Sequence, residues 1–135
     1  MTLLQILPVL AYAGIVIVVL AAAMEFRLSP ALRWLVPATT GLLFTLFSLV
    51  TVWQEGIIQF WINHSTNLAG NQVWFDLLLA VGIAFILMAP RARAVGMPLI
   101  PWAIFVLATA SIGLLPMLAR LFWLEHHMNQ RSASR

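Results

Sequence analysis

The chain contains no cysteine and no lysine, and it has few charged residues of either sign. The absence of cysteine excludes disulfides, thiolate zinc sites, cysteinyl iron–sulfur clusters and a cysteine nucleophile. All of its cationic side chains are arginines, which stand singly or in pairs between apolar runs. Because no basic stripe exists that could follow a phosphate backbone, we expect no nucleic-acid partner.

Apolar residues make up most of what is present. Hydrophobic residues account for 63% of the 135 positions and charged residues for 8%, and the mean hydropathy is +1.01. In ordinary globular domains about a quarter of the residues are charged. The composition and length therefore predict a single integral membrane domain that covers residues 1–135.

Four apolar stretches approach the length that a membrane-spanning helix requires, which is about 20 residues for a hydrocarbon core about 30 Å thick. They cover residues 3–24, 34–54, 70–90 and 98–124. Ile57, Phe60 and Trp61 recur at helical spacing between the second and third stretches, so a short helix at about 56–66 is expected in the interface. The predicted fold is all-α: a transmembrane four-helix bundle with a short interfacial segment between helices two and three.

Arginine placement predicts an orientation in the membrane, because cytoplasmic loops carry an excess of positive charge. Two short hairpins are arginine-bearing, one with Arg27 and Arg33 and the other with Arg91 and Arg93. These hairpins are expected to be cytoplasmic. Four spans then leave both termini periplasmic, and the arginines of the C-terminal segment reduce the charge difference between the two sides.

Asp76 is the ionisable residue expected deepest in a span, roughly 21 Å from the arginine-bearing side at 1.5 Å per helical residue. A carboxylate at such a depth is a functional candidate, because it is costly unless it is paired or hydrated. Arg120 is its candidate ion-pair partner on the neighbouring helix. The alternative is structural: Asp76 lies in the first turns of its helix, where the helix dipole and an arginine neighbour stabilise it. This alternative is favoured, since a carboxylate within reach of the interface is less costly than one at the midplane.

Five further polar residues are expected together on the side opposite the hairpins. They are Glu55, His64, Glu125, His126 and His127. Histidine and carboxylate side chains can bind a divalent metal, but the adjacent pair His126 and His127 would point about 100° apart on a helix. No metal site is therefore predicted, and His64, His126 and His127 remain weak candidates beside the alternative of solvated interfacial histidines.

An amide-rich segment surrounds the start of the third predicted helix. It includes Asn67, Asn71 and Gln72. These side chains could line a polar pocket for a lipid headgroup at the mouth of the bundle. Alternatively they cap the third helix and pair with loop backbone, which is the interpretation that the usual behaviour of asparagine favours.

The second half of the chain carries motifs of a known kind. They are Asn63-His64 with Asn67, Gly70-Asn71-Gln72-Val73-Trp74, Asp76-Leu77-Leu78, Ser111-Ile112-Gly113-Leu114-Leu115-Pro116 and Ala119-Arg120. This pattern resembles a family of small uncharacterised bacterial multi-helix inner-membrane proteins. The resemblance implies a compact helical membrane unit in which Asp76 and Arg120 belong to the recurrent pattern, and it implies no chemistry.

Three functions are compatible with the sequence. The leading hypothesis is a non-enzymatic accessory subunit that binds membrane lipid and either a protein partner or further copies of itself. A second is a small oligomeric transporter or channel that uses Asp76. A third is a membrane enzyme with a lipid-soluble substrate and with Asp76, His64 and Glu55 as acid or base groups. No cofactor is predicted, although a bound lipid is compatible with the leading hypothesis.

Overall fold

The computed structural model describes residues 2–26 and 28–133, with backbone alone at residues 3, 132 and 133. Within these ranges the chain is entirely helical and has no strand. The six helices are α1 (Leu3–Ala23), α2 (Pro30–Glu55), α3 (Ile57–Ser65), α4 (Leu68–Ala94), α5 (Leu99–Thr109) and α6 (Ser111–Ala133).

Three helices of the described chain are long and apolar enough to cross a membrane. These are α1, α2 and α4, of which α2 has 26 residues and α4 has 27. At 1.5 Å per residue, α2 and α4 are each about 40 Å long, more than a hydrocarbon core of about 30 Å requires. The all-α prediction is confirmed at this level, consistent with an integral membrane protein, whereas a four-helix transmembrane bundle is not.

Local sequence accounts for where the spanning helices begin and end. The Ser29 side chain accepts a hydrogen bond from the backbone N–H of Leu32 at 3.4 Å, and Pro30 occupies the first helical position of α2. These residue types are typical of a helix start. Gly56 (φ 82°) ends α2, and Gly96 (φ 73°) follows the end of α4. Glycine adopts such positive φ angles without the steric penalty that a Cβ imposes.

The single helix predicted over 98–124 is wrong, because the chain reverses direction at Ala110. Ala110 has φ 50° and ψ −118° and separates α5 from α6. A Cβ placed on Gly113 would lie 3.0 Å from the backbone of Phe105, although residues eight apart in a straight helix are separated by about 12 Å. With 11 residues, α5 is about 16 Å long, which is shorter than a hydrocarbon core of about 30 Å requires.

The reversal places the second half of α6 at the same end of the molecule as the arginine-bearing hairpins. Helix α6 runs antiparallel to α2, since a Cβ on Gly41 would lie 3.0 Å from Leu115 Cβ while Arg33 lies over the ring of Phe122. Glu125 on α6 pairs with Arg91 near the end of α4. The expectation that the C-terminal segment lies opposite the hairpins is therefore wrong. Arg27 and Arg135 lie outside the described residues.

The buried core lies between α4, α5 and α6. Its members include Val81, Met88, Val106, Met117 and Leu121, with Met117 and Leu121 completely buried. The aliphatic and thioether side chains interlock the α5–α6 hairpin with α4, which keeps α5 in place despite its short length. Helix α1 differs, because it contacts no other helix in the described part of the chain.

Candidate functional site

The described arginines gather at one end of the molecule, which we call the arginine end. It is formed by the first turns of α2, the last turns of α4 and the second half of α6. Its arginines are Arg33, Arg91, Arg93, Arg120 and Arg131. The opposite end, formed by the end of α2, by α3 and by the start of α4, carries Glu55 and the amide-rich segment and has no described arginine.

An ion pair connects α4 to α6 at the arginine end. Arg91 donates from Nε to one oxygen of Glu125 at 2.9 Å and from a terminal nitrogen to the other oxygen at 2.7 Å. The side chains are 47% and 26% exposed, so solvent screening limits the stabilisation to about 1 kcal/mol or less. The bidentate geometry nevertheless sets the position of α6 against α4.

Two guanidinium groups lie over the ring of Phe122 at this end. The guanidinium carbon of Arg33 is 5.4 Å from the ring centroid and that of Arg91 is 5.3 Å. Both distances are within the range of cation–π attraction. The Arg33 contact joins α2 to α6, and the Arg91 contact joins α4 to α6. These residues border a cavity of about 530 Å³, lined also by Pro30, Ala94, Val95, Glu125, His126, Met128 and Asn129.

A second cavity, which we call the Arg120 groove, runs between α2 and α6 on another face. Its volume is about 490 Å³. Trp34, Arg120 and Trp123 form its rim at the arginine end. Farther from this end it is lined by Ala38, Gly41, Leu42, Thr45, Pro116 and Ala119. The groove thus combines a cationic aromatic mouth with an apolar interior.

The predicted pair of Asp76 and Arg120 does not form. Fifteen residues of α4 separate Asp76 from Arg91, which places Asp76 about 22 Å along the helix from the arginine end. Arg120 instead stacks on Trp123, with its guanidinium carbon 4.8 Å from the ring centroid. The reversal at Ala110 moved Arg120 to the other end of the molecule. Asp76 is exposed and has no hydrogen bond or ion pair with any described side chain.

His64 belongs to an aromatic cluster between α3 and α4. Its ring centroid lies 4.5 Å from that of Phe60 and 5.6 Å from that of Trp74. Its Nδ1 is 2.7 Å from the carbonyl oxygen of Phe60 and donates to it. These contacts attach α3 to the first turns of α4, and within the described chain they include no bond to Asp76 or Glu55.

The amide-rich segment caps α4. The side-chain oxygen of Asn67 accepts a hydrogen bond from the backbone N–H of Gly70 at 2.7 Å, and the Asn71 amide donates to the backbone carbonyl of Asn67 at 3.1 Å. For Asn67 the capping interpretation is confirmed. Gln72 lies on the exposed surface of the same helix, and Glu55 is the exposed last residue of α2.

The proposed convergence of histidines and carboxylates is wrong in its placement. Glu125, His126 and His127 lie at the arginine end, whereas Glu55 and His64 lie at the opposite end. His127 donates from Nδ1 to the carbonyl of Trp123 at 2.8 Å, and His126 Nε2 is 3.0 Å from the amide of Gln130. Among the described residues, no group of three His, Cys, Asp or Glu side chains could hold a metal ion.

Comparison with known proteins assigns no relative. No protein-family model, curated protein or solved structure matches this chain. The resemblance of the second half to small bacterial membrane proteins therefore gains no support from the comparisons. What the chain does must be inferred from its own geometry.

Three features of the arginine end were missed by sequence reasoning. The Arg120–Trp123 pair has the i, i+3 spacing of neighbours on a helix surface, which is a signal that the sequence does contain. The approach of Trp34 to Arg120 and of Arg91 to Glu125 depends on the reversal at Ala110. The break itself occurs at an alanine, although Pro98, Pro101 and Pro116 lie in the same segment.

Proposed function

We propose that this chain is a non-enzymatic accessory subunit of the bacterial inner membrane that binds lipid and a protein partner. The observation that carries the proposal is the arginine end, where two cavities flank the contact between α2 and α6. Arginine and tryptophan at the border of apolar helices are typical of the membrane interface and of lipid headgroup recognition. These residues are suited to holding an anionic lipid.

Charge supports a cytoplasmic arginine end. All of the described arginines lie at that end, so the bias is stronger than the sequence suggested. Under the positive-inside rule, the hairpin and the C-terminal half of α6 are then both cytoplasmic. If α1 spans the membrane, the N-terminus is periplasmic, because α1 leads into α2 at the arginine end.

Helix α1 supports the protein-binding part of the proposal. It contains 21 residues, and nearly all of its described side chains are exposed. Lipid can cover such a helix, but helix association in membranes favours surfaces with small residues that allow close approach. Ala11 and Gly14 lie one turn apart on α1, and the position of a Cβ on Gly14 is free of neighbours. A partner helix or a second copy has room to approach there.

The test is extraction from the membrane in a mild detergent without added lipid, followed by identification of what remains bound. We expect phospholipid at a defined stoichiometry together with a protein partner or a second copy. Deletion of residues 2–23 should abolish binding of the protein partner or second copy. Lipid binding should remain, because the cavities belong to α2, α4 and α6. Recovery of the full chain as a monomer with neither lipid nor protein would contradict the proposal.

A second function is favoured by Asp76. An exposed carboxylate without a described partner on a candidate span is expensive in lipid, and assembly around it would relieve that cost. The protein would then be a small oligomeric transporter or channel. Asp76→Asn should abolish ion flux in proteoliposomes while Glu55→Gln leaves it unchanged. A strictly monomeric state in lipid would exclude this function, since one chain this small encloses no pathway.

A further inference from the structure

We propose that the Arg120 groove binds one anionic phospholipid of the surrounding bilayer. The lipid phosphate would lie against the Arg120 guanidinium and one acyl chain between α2 and α6. This inference rests on the proposed lipid-binding function and names the site and the lipid class. The binding is non-covalent and requires no other component.

The charge of the groove selects an anion. Arg120 is exposed, and within the described chain it forms no ion pair, because Glu125 is engaged by Arg91. The Trp123 ring 4.8 Å away holds the guanidinium but does not neutralise it. Guanidinium groups bind phosphate through two parallel N–H···O hydrogen bonds. The cation at the mouth is thus available to a phosphodiester.

The depth of the groove selects an acyl chain. Eleven residues of α2 separate Trp34 at the rim from Thr45, a distance of about 16 Å along the helix. Thr45 donates its hydroxyl proton to the carbonyl of Gly41 at 2.7 Å, which satisfies that donor within the helix. The remaining interior is aliphatic, so a hydrocarbon chain suits it better than a soluble polar ligand.

Small side chains keep the groove open. Ala38, Gly41 and Ala119 lie along its floor. Gly41 allows α2 to approach α6 so closely that an added Cβ would stand 3.0 Å from Leu115 Cβ. The same close approach that joins the helices leaves a channel beside them. Trp34 and Trp123 flank its mouth at the level where tryptophan side chains contact lipid headgroups.

The first experiment compares two arginine variants at the same end of the protein. Phosphatidylglycerol and phosphatidylcholine are titrated onto the delipidated full chain in detergent, and bound lipid is counted by native mass spectrometry. Arg120→Gln should weaken phosphatidylglycerol binding about fivefold, the effect of about one interfacial charge. Arg93→Gln removes the same charge outside the groove and should change binding less than twofold. Arg120→Lys should retain most of the binding, since lysine also binds phosphate.

The second experiment fills the groove without changing charge. Ala38→Leu places a larger side chain on the floor and should reduce phosphatidylglycerol binding severalfold. Ala31→Leu adds the same atoms at an exposed position in the first turn of α2 and should have no effect. Thermal unfolding in detergent checks that each variant folds. Inorganic phosphate is titrated as a further probe. If it bound as tightly as phosphatidylglycerol, the acyl-chain part of the proposal would be overturned.

The outcomes separate the site from the function. Equal losses in Arg120→Gln and Arg93→Gln would overturn the groove as the site while lipid binding by the protein stands. Equal affinity for phosphatidylglycerol and phosphatidylcholine would overturn the selection for an anion. If the unmodified chain bound neither lipid, both this inference and the lipid-binding part of the proposed function would fall.

Discussion

Gly70 shows how one residue controls the junction between α3 and α4. A Cβ at this position would collide with the backbone carbonyl oxygen of Asn63 and would lie 3.1 Å from the Cα of His64. Backbone atoms cannot rotate away as a flexible side chain can. The close approach also brings Trp74 onto Phe60 and His64 and leaves Asn67 free to cap α4. A residue without a side chain is therefore required here.

We expect Gly70→Ala to destabilise the protein by about 1–3 kcal/mol, the usual effect of an inserted methyl group that forces a backbone shift. The measurement is the free energy of unfolding in detergent, with tryptophan fluorescence as the signal. Gly82→Ala is the matched control, because the added Cβ meets no atom within 4 Å. It should be neutral or slightly stabilising, since alanine favours a helix more than glycine does. Equal effects of the two substitutions would contradict the described junction.

At the level of elements, the α5–α6 hairpin is the feature that distinguishes this fold from a simple bundle. Ala110 has φ 50°, a conformation that is unfavourable for a residue with a Cβ. Packing overrides that cost, because Val106 and Met117 on either side of the reversal are buried against α4. The hairpin is also closed by Gly113, whose added Cβ would meet the Thr109 hydroxyl oxygen at 2.8 Å.

The reversal predicts opposite effects of one substitution at two nearby alanines. Ala110→Gly should stabilise the protein by about 1 kcal/mol, because glycine adopts a positive φ without steric cost. Ala108→Gly, at an exposed position within α5, should destabilise it by about 0.5–1 kcal/mol. Thermal unfolding of the two variants in the same detergent gives the signs. In a continuous helix over 98–124, both substitutions would destabilise.

On the scale of the whole molecule, the hairpin decides which residues share an end of the molecule. Asn129 follows Glu125 on α6 and lies at the arginine end, whereas Gln54 lies at the opposite end of α2. A single continuous fourth span would instead place Asn129 and Gln54 together. The location of the C-terminal segment is thus a direct measure of the topology.

Cysteine labelling tests this placement, and the absence of native cysteine makes it simple. Single substitutions Asn129→Cys, Arg93→Cys and Gln54→Cys are treated with a membrane-impermeant maleimide in intact bacterial cells and in inverted vesicles. We expect Asn129→Cys and Arg93→Cys to label in inverted vesicles, and Gln54→Cys to label in cells. Labelling of Asn129→Cys with Gln54→Cys would disprove the hairpin. If each of the three cysteines were labelled in the opposite preparation, cells instead of inverted vesicles or the converse, only the proposed orientation would be disproved.

The candidate site was predictable only in part. Asn67 was recognised as a cap because its hydrogen bond to Gly70 depends on residues three apart in the chain. Arg120 was singled out, but with Asp76 as its partner instead of Trp123. That choice assumed a straight helix from Pro98. Because the chain reverses at Ala110, a count of residues along a straight helix misplaces Arg120 by tens of ångströms.

The amino-acid sequence alone determined that this protein is helical and apolar enough for a membrane. Long uncharged apolar runs are unfavourable in water, and as helices they satisfy their own backbone hydrogen bonds in an apolar environment. The cap at Asn67 was equally local. Only the tertiary structure decided where the last third of the chain goes. The reversal occurs at an alanine, which carries no turn signal of its own, and it is held by side chains of α4 that are distant in sequence. Contacts of that kind also bring Trp34, Arg120 and Trp123 to one groove.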